Sequence, residues 1–167
     1  MGERDAGLLY RTLAPAVLGY LRAQRVADPE DVLGEVFLHV ARDVHRVRGD
    51  DEAVRRWVFA VARHRVIDEA RRQRRRPRIG PGPGPEPAAA EGEPFDPVLL
   101  AALAALTPDQ REVVVLRFVA DLSLENVARV THRRISAVKS LQHRALANLA
   151  GALSPEASAS TPGGSAR

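Results

Sequence analysis

The chain has 167 residues, a net charge of +4, no cysteine and only 4% aromatic residues. That length allows one domain or two small ones with modest cores. The missing thiol excludes disulfides, thiolate zinc sites and cysteine nucleophilic catalysis. His39, His45, His64, His132 and His143 lack metalloprotease spacing, and there is no glycine-rich phosphate loop or nucleophile elbow, so neither an enzyme nor a cofactor is expected. No apolar run reaches signal-peptide length or the roughly 20 residues of a membrane span, and a cytoplasmic protein is expected.

Three helices are predicted in the N-terminal part. Leu8, Leu9, Leu13, Val17, Leu18 and Leu21 mark the first, interrupted by Pro15, which reads as a kink or as a boundary between two shorter helices. The second opens at Asp28-Pro29-Glu30-Asp31, with a capping aspartate, proline at the first helical position and acids at the positive end of the dipole. Its inward stripe is Val32, Leu33, Val36, Phe37, Val40, Val44 and Val47. A loop over residues 48–51 leads to a third helix over roughly residues 52–75, with Val54, Trp57, Val58, Val61, Arg65 or Val66, and Ile67 turned inward. This helix ends in Arg71-Arg72-Gln73-Arg74-Arg75-Arg76, a surface suited to phosphate.

Residues 77–97 are dense in proline and glycine and cannot hold a helix or a central strand, so they read as a linker. Charge breaks at the same place. Residues 1–78 carry 17 arginines against 12 acids, residues 79–97 no base against 4 acids, and residues 98–167 carry 8 bases against 5 acids. Because 24 of the 25 bases are arginine, part of the bias reflects composition, and only clustering is informative. Beyond Ser154 the tail, counted here as residues 152–167, has too little apolar content to order itself.

Downstream of the linker, Thr107-Pro108-Asp109-Gln110 is a helix start with a capping box, followed by Val113, Val114, Leu116 and Val119. Ser123 caps a helix of about two turns, with Leu124, Val127, Ala128 and Val130 inward and Asn126 where the box usually has Glu. After a turn over residues 131–134, a helix from Ile135 places Ile135, Val138, Leu141, Ala145 and Leu149 on one stripe. Lys139, Ser140, Gln142, His143 and Arg144 lie on its other faces, and residues 126–155 contain no acid. Short helix, tight turn and basic second helix have the shape of a helix-turn-helix DNA reader. On this segment alone, an ordinary three-helix bundle with a solvated basic face remains the alternative.

Two stretches carry a resemblance. DPEDVLGEVFLHV with RRWVFAVARHRVIDEARRQRRR resembles region 2 of the extracytoplasmic-function (ECF) sigma factors of the sigma-70 family, and LAALTPDQREVVVLRFVADLSLENVARVTHRRISAVKSLQHRALANL resembles region 4. The resemblance implies an all-α chain of two small helical domains, a region 2 bundle over residues 1–76 and a region 4 helix-turn-helix over residues 98–151, joined by the Pro/Gly-rich linker. It implies core RNA polymerase, through the β′ clamp and β flap, and promoter DNA as partners, leaves room for an anti-sigma factor, and involves no membrane. Asp31, Glu35 and Phe37 would grip the core, although Phe37 also fits the hydrophobic core. Arg48, His64, Arg71, Arg72 and Arg75 would serve the −10 element, the arginines on phosphate and His64, where the family often has Asn, near a flipped base. Lys139, Ser140 and His143 would face base edges of the −35 element, and Arg133, Arg134 and Arg144 its phosphates.

Several residues depart from the family's pattern. His132 stands where the turn usually has Gly, Thr131 and Arg133 replace frequent apolar residues, and Gly34 replaces a frequent Gln within the second helix. Two rival functions are a DNA-binding regulator acting without polymerase and a helical adaptor with no nucleic-acid role.

Overall fold

The computed structural model describes residues 4–76 and 95–154, so most of the expected linker and the tail beyond Ser154 lie outside the described residues. Among the described residues the chain is all-α, with seven α-helices and one short 3-10 turn. Three form the N-terminal bundle: α1 (Ala6–Ala23), α2 (Pro29–Asp43) and α3 (Asp51–Arg75), with the 3-10 turn Val44–Arg46 after α2. Four form the C-terminal unit: α4 (Pro97–Ala105), α5 (Pro108–Phe118), α6 (Leu124–Thr131) and α7 (Ile135–Leu153).

The helix starts follow local chemistry. Asp28 accepts the Asp31 N–H at 3.1 Å with Pro29 at the first position, and Asp50 caps α3 through the Ala53 N–H at 2.9 Å. The capping box of Thr107 and Gln110 forms at α5, and Ser123 caps α6 through the Asn126 N–H at 3.2 Å.

Four expectations need correction. Pro15 lies within a single α1, so it marks no boundary between helices: the packing of Leu13, Ala14 and Val17 into the core carries the helix through the lost N–H bond. The linker expected over residues 77–97 ends early, because Phe95 is buried, Asp96 caps α4 at the Val98 N–H and Pro97 begins that helix. Helix α4 itself was not anticipated, although Asp96-Pro97 repeats the Asp28-Pro29 signal. On α3, Val54, Val58 and Val61 are buried as expected, but Phe59 and Ala62 are wholly buried as well, while Trp57, Arg65, Val66 and Ile67 are only half-buried, so the inward face is shifted to one side of the expected stripe. The cause is that α3 packs on α1, α2 and α6 together.

Gly34 sits on the exposed side of α2, where an added Cβ would meet nothing within 4 Å. Gly34→Ala is therefore expected to raise stability by about 1 kcal/mol, read as a higher urea midpoint at unchanged m-value. An unchanged or lower midpoint would mean that α2 does not tolerate the methyl group.

Candidate nucleic-acid interface

The helix-turn-helix is built from α6 and α7. Helix α6 buries Val127, Ala128, Val130 and Thr131, and the Thr131 hydroxyl donates back to the Val127 carbonyl at 2.8 Å. His132 ends α6 in the left-handed region at φ 55°, ψ 39°, and the Arg133 N–H reaches the Ala128 carbonyl at 3.0 Å. The turn thus adopts the conformation that glycine takes without cost, with a side chain that must bear the strain. His132→Gly is expected to stabilise the C-terminal unit by about 1 kcal/mol. A thermal melt showing no gain would place the strain elsewhere.

Lys139, Ser140, His143 and Arg144 of α7 are exposed and together line one shallow depression. Val138 and Ala145 are fully buried beneath them, which fixes the outward rotation of the basic face. Ile135, expected inward, is exposed: it stands in the first turn of α7, ahead of Val138, the first residue of the helix that is buried. Arg134 is exposed at the N-cap position of α7 and makes no capping bond. Arg133 differs from the others, because its guanidinium is paired with Asp109 of α5 at 2.7 Å. The acid absent from residues 126–155 is supplied here by a neighbouring helix.

In the N-terminal bundle, Arg48, His64, Arg71, Arg72 and Arg75 are all exposed. Trp57, His64 and Arg71 are spaced by seven residues and lie along one face of α3, with His64 about 10 Å beyond Trp57 along the axis. Arg72 is paired with Glu69 at 3.8 Å. A concave patch lies not at His64 but near the start of α3, lined by His39, Asp43, Arg46, Val47 and Trp57. The His39 and Trp57 rings meet edge-on at 5.9 Å. The hydrogen bond from Arg42, followed by the charges of Arg42, Arg46 and His39, holds the Asp43 carboxyl below the usual carboxylate range. Arg4 donates to the carbonyls of Val47 and Gly49, tethering this wall to the start of the chain. Gly49 has φ 116°, and a Cβ there would lie 2.7 Å from that of Ala53, so only glycine fits the turn into α3. Sequence reasoning missed this patch. His39 and Asp43, four residues apart on α2, were its only local signal.

The expected polymerase-gripping residues divide. Asp31 is exposed near the start of α2, and Glu35 is half-buried and paired with Arg65 of α3 at 3.4 Å. Phe37 is 8% exposed and packs edge-on against Tyr10 at 4.9 Å, so it belongs to the hydrophobic core and presents no free surface. Leu38, 75% exposed and seven residues after Asp31, takes the outward position instead.

An Arg-tailed helical bundle followed by a helix-turn-helix unit with a basic outward helix is the architecture of a sigma-type transcription initiation protein. Residues 9–76 match the Sigma-70 region 2 family and residues 98–149 match the Sigma-70, region 4 family. The chain is 33% identical to the ECF RNA polymerase sigma factor BldN of Streptomyces coelicolor over 93% of this chain and 63% of BldN. It is 32% identical to SigX of Bacillus subtilis, over 70% of this chain and 66% of SigX, and 32% identical to SigD of Mycobacterium tuberculosis, over 89% of this chain and 77% of SigD. The chain thus spans just under two thirds of the first two relatives. It belongs to the ECF RNA polymerase sigma-factor family. The fold is similar to that of the sigma factor RpoE, solved in complex with the anti-sigma factor NepR from Bartonella quintana, with a TM-score of 0.63, 19% identity and coverage of 87% of this chain and 96% of that one.

Proposed function

We propose that this protein is a dissociable subunit that binds core RNA polymerase and directs transcription initiation at particular promoters. The observation that carries this reading is the exposed Lys139, Ser140, His143 and Arg144 surface of α7, joined in one chain to a sigma region 2 bundle with its own basic helix. Helix α7 enters the major groove of the −35 element, with Lys139, Ser140 and His143 at base edges and Arg134 and Arg144 on phosphates. Arg133 joins them by exchanging Asp109 for a phosphate.

The N-terminal bundle takes the −10 element. Arg48, Arg71, Arg72 and Arg75 hold the backbone, and His64 lies along the path of the strand. An unstacked base enters the concavity between His39 and Trp57, where edge and ring contacts offset the few kcal/mol of unstacking. Helix α2 docks on the β′ clamp of core polymerase through Asp31, Glu35 and Leu38, with Phe37 supporting them from beneath. The C-terminal unit meets the β flap, and the stretch expected as a linker sets the spacing of the two readers. The same surfaces suit an anti-sigma factor. No helix among the described residues is long and apolar enough to cross a membrane, in keeping with action on cytoplasmic DNA.

The test is run-off transcription with core polymerase from a related bacterium on a genomic promoter library. Transcripts that depend on the protein are expected, and they define both promoter elements. DNA binding by the protein without association with core would replace this reading with a regulator that acts alone. Lys139→Ala is expected to weaken use of the selected promoter by about 1–3 kcal/mol and to relax the base preference at one −35 position. A uniform loss on all sequences, with a salt slope reduced by about one, would make Lys139 a phosphate contact instead.

A further inference from the structure

One wall of the His39 and Trp57 concavity is held less firmly than the others. His39 and Asp43 stand on α2 and Trp57 on α3, helices seated by the buried Val36, Val40, Val54 and Val58. The remaining wall, Arg46 and Val47, belongs to the turn between those helices. Val44 and Val54 are buried at its two ends, but no residue between them is. The Val47 N–H closes the 3-10 turn on the Val44 carbonyl at 3.1 Å, and the backbone then passes through Gly49 at φ 116° before Asp50 caps α3. The carbonyls of Val47 and Gly49 lie outside every helix. A stretch with so little burial is not fixed in one conformation by packing.

Both carbonyls are bridged by a single side chain. Arg4 donates from Nη1 to Val47 and from Nη2 to Gly49, contacts that span 43 and 45 residues. Arg4 directly precedes Asp5, whose carboxylate caps α1 by accepting from the Gly7 N–H at 2.8 Å. Helix α1 is seated in the hydrophobic core by Leu13, Ala14 and Val17 and packs on α2. The guanidinium therefore ties the turn to a fixed helix. Its planar fork meets two carbonyls at once, which the point charge of an ammonium group does not reproduce.

We infer that Arg4 is a positioning residue for promoter opening: by bridging the Val47 and Gly49 carbonyls it holds the turn in the form that receives an unstacked −10 base. The inference rests on the proposal that the base enters this concavity. Arg4 itself touches neither base nor phosphate. A turn left free to move is in the receptive form for only part of the time, and capture weakens in proportion to that fraction. With the tether in place the turn is ordered during folding, so the capture step does not bear that entropic cost. Arg48 lies on the same turn, and its approach to the −10 backbone is set by the same contact.

The test uses holoenzyme assembled from the full-length chain and core polymerase, on a promoter selected by run-off transcription. 2-Aminopurine is placed beside the captured −10 base, where its fluorescence rises as its neighbour leaves the stack. Arg4→Ala is expected to lower the equilibrium constant for opening roughly tenfold, the factor that applies when the receptive form falls to about a tenth of the population. Arg4→Lys, which keeps the charge without the fork, should lose nearly as much. Binding to a duplex carrying only the −35 element, the salt slope of promoter binding and the urea midpoint followed through Trp57 should change little, while amide exchange in the free chain quickens at residues 47–50. Rescue by lysine, or a salt slope reduced by about one in Arg4→Ala, would make Arg4 a phosphate contact instead. A loss of opening matched by a lower urea midpoint would make it a general support of the bundle, and unchanged opening would show that the turn holds itself. Each of these overturns the positioning role. No fluorescence rise with the unaltered protein would remove the base-capture reading, and the role of Arg4 with it.

Discussion

Phe59→Ala is expected to destabilise the protein by about 3–5 kcal/mol, because it empties a fully buried ring position that surrounding helices cannot close. Phe59 meets Tyr20 edge-on, with centroids 6.0 Å apart and planes at 89°. Tyr20 in turn carries the hydroxyl bonded to Glu112, so the loss should reach both the N-terminal core and the contact between the two units. Urea unfolding followed through Trp57, the sole tryptophan, reports this directly. A cost below about 1 kcal/mol would mean that α1 and α3 collapse onto the vacancy and that the observed packing is not unique. Phe59→Leu, which keeps most of the volume, should recover most of the loss.

Arg111→Ala should cost about 3 kcal/mol within the C-terminal unit. Arg111 is buried at 8% exposure, and its guanidinium donates to the Leu103 carbonyl at 3.0 Å and the Leu106 carbonyl at 3.1 Å. These carbonyls belong to the end of α4, where helical oxygens lack partners, and a cation satisfies them while countering the negative end of the dipole. Burial, ahead of the nearby Arg25 charge, lowers the Arg111 pKa. Alanine would leave the Leu106 carbonyl without its guanidinium donor and the Leu103 carbonyl with only the Leu106 N–H, at 3.2 Å, and would unseat α4 from α7. Hydrogen exchange is the discriminating measurement: faster exchange should spread through α4 and into α5, with little change in α2. Uniform acceleration across both units would show that they unfold as one.

Both residues lie away from the surfaces proposed to face DNA. Phe59 holds α1 against α3, and Arg111 anchors α4, on which α7 rests. The exposed arginines can be gained or lost with modest effect on folding, whereas the buried pair decides whether either surface exists.

The sequence by itself determined six of the seven described helices, α4 being the exception, most of their starts, the inward stripe of α2, the helix-turn-helix and the family. Asp28-Pro29, Thr107 with Gln110, and Ser123 act on N–H groups within three residues, and apolar spacing acts within one helix, so both are visible in short stretches. The outward Lys139, Ser140, His143 and Arg144 were legible for the same reason. Tertiary structure alone decided that Phe59 and Ala62 join the buried face of α3 while Trp57 is only half-buried, that α1 runs through Pro15, and that Arg133 meets Asp109. It also joined Asn126 to Glu52 across 74 residues and Glu112 to Arg63 across 49. Such contacts leave no periodic trace, because a hydrogen bond between distant helices constrains only two positions and depends on how each helix is rotated. That rotation follows from packing on all neighbours at once.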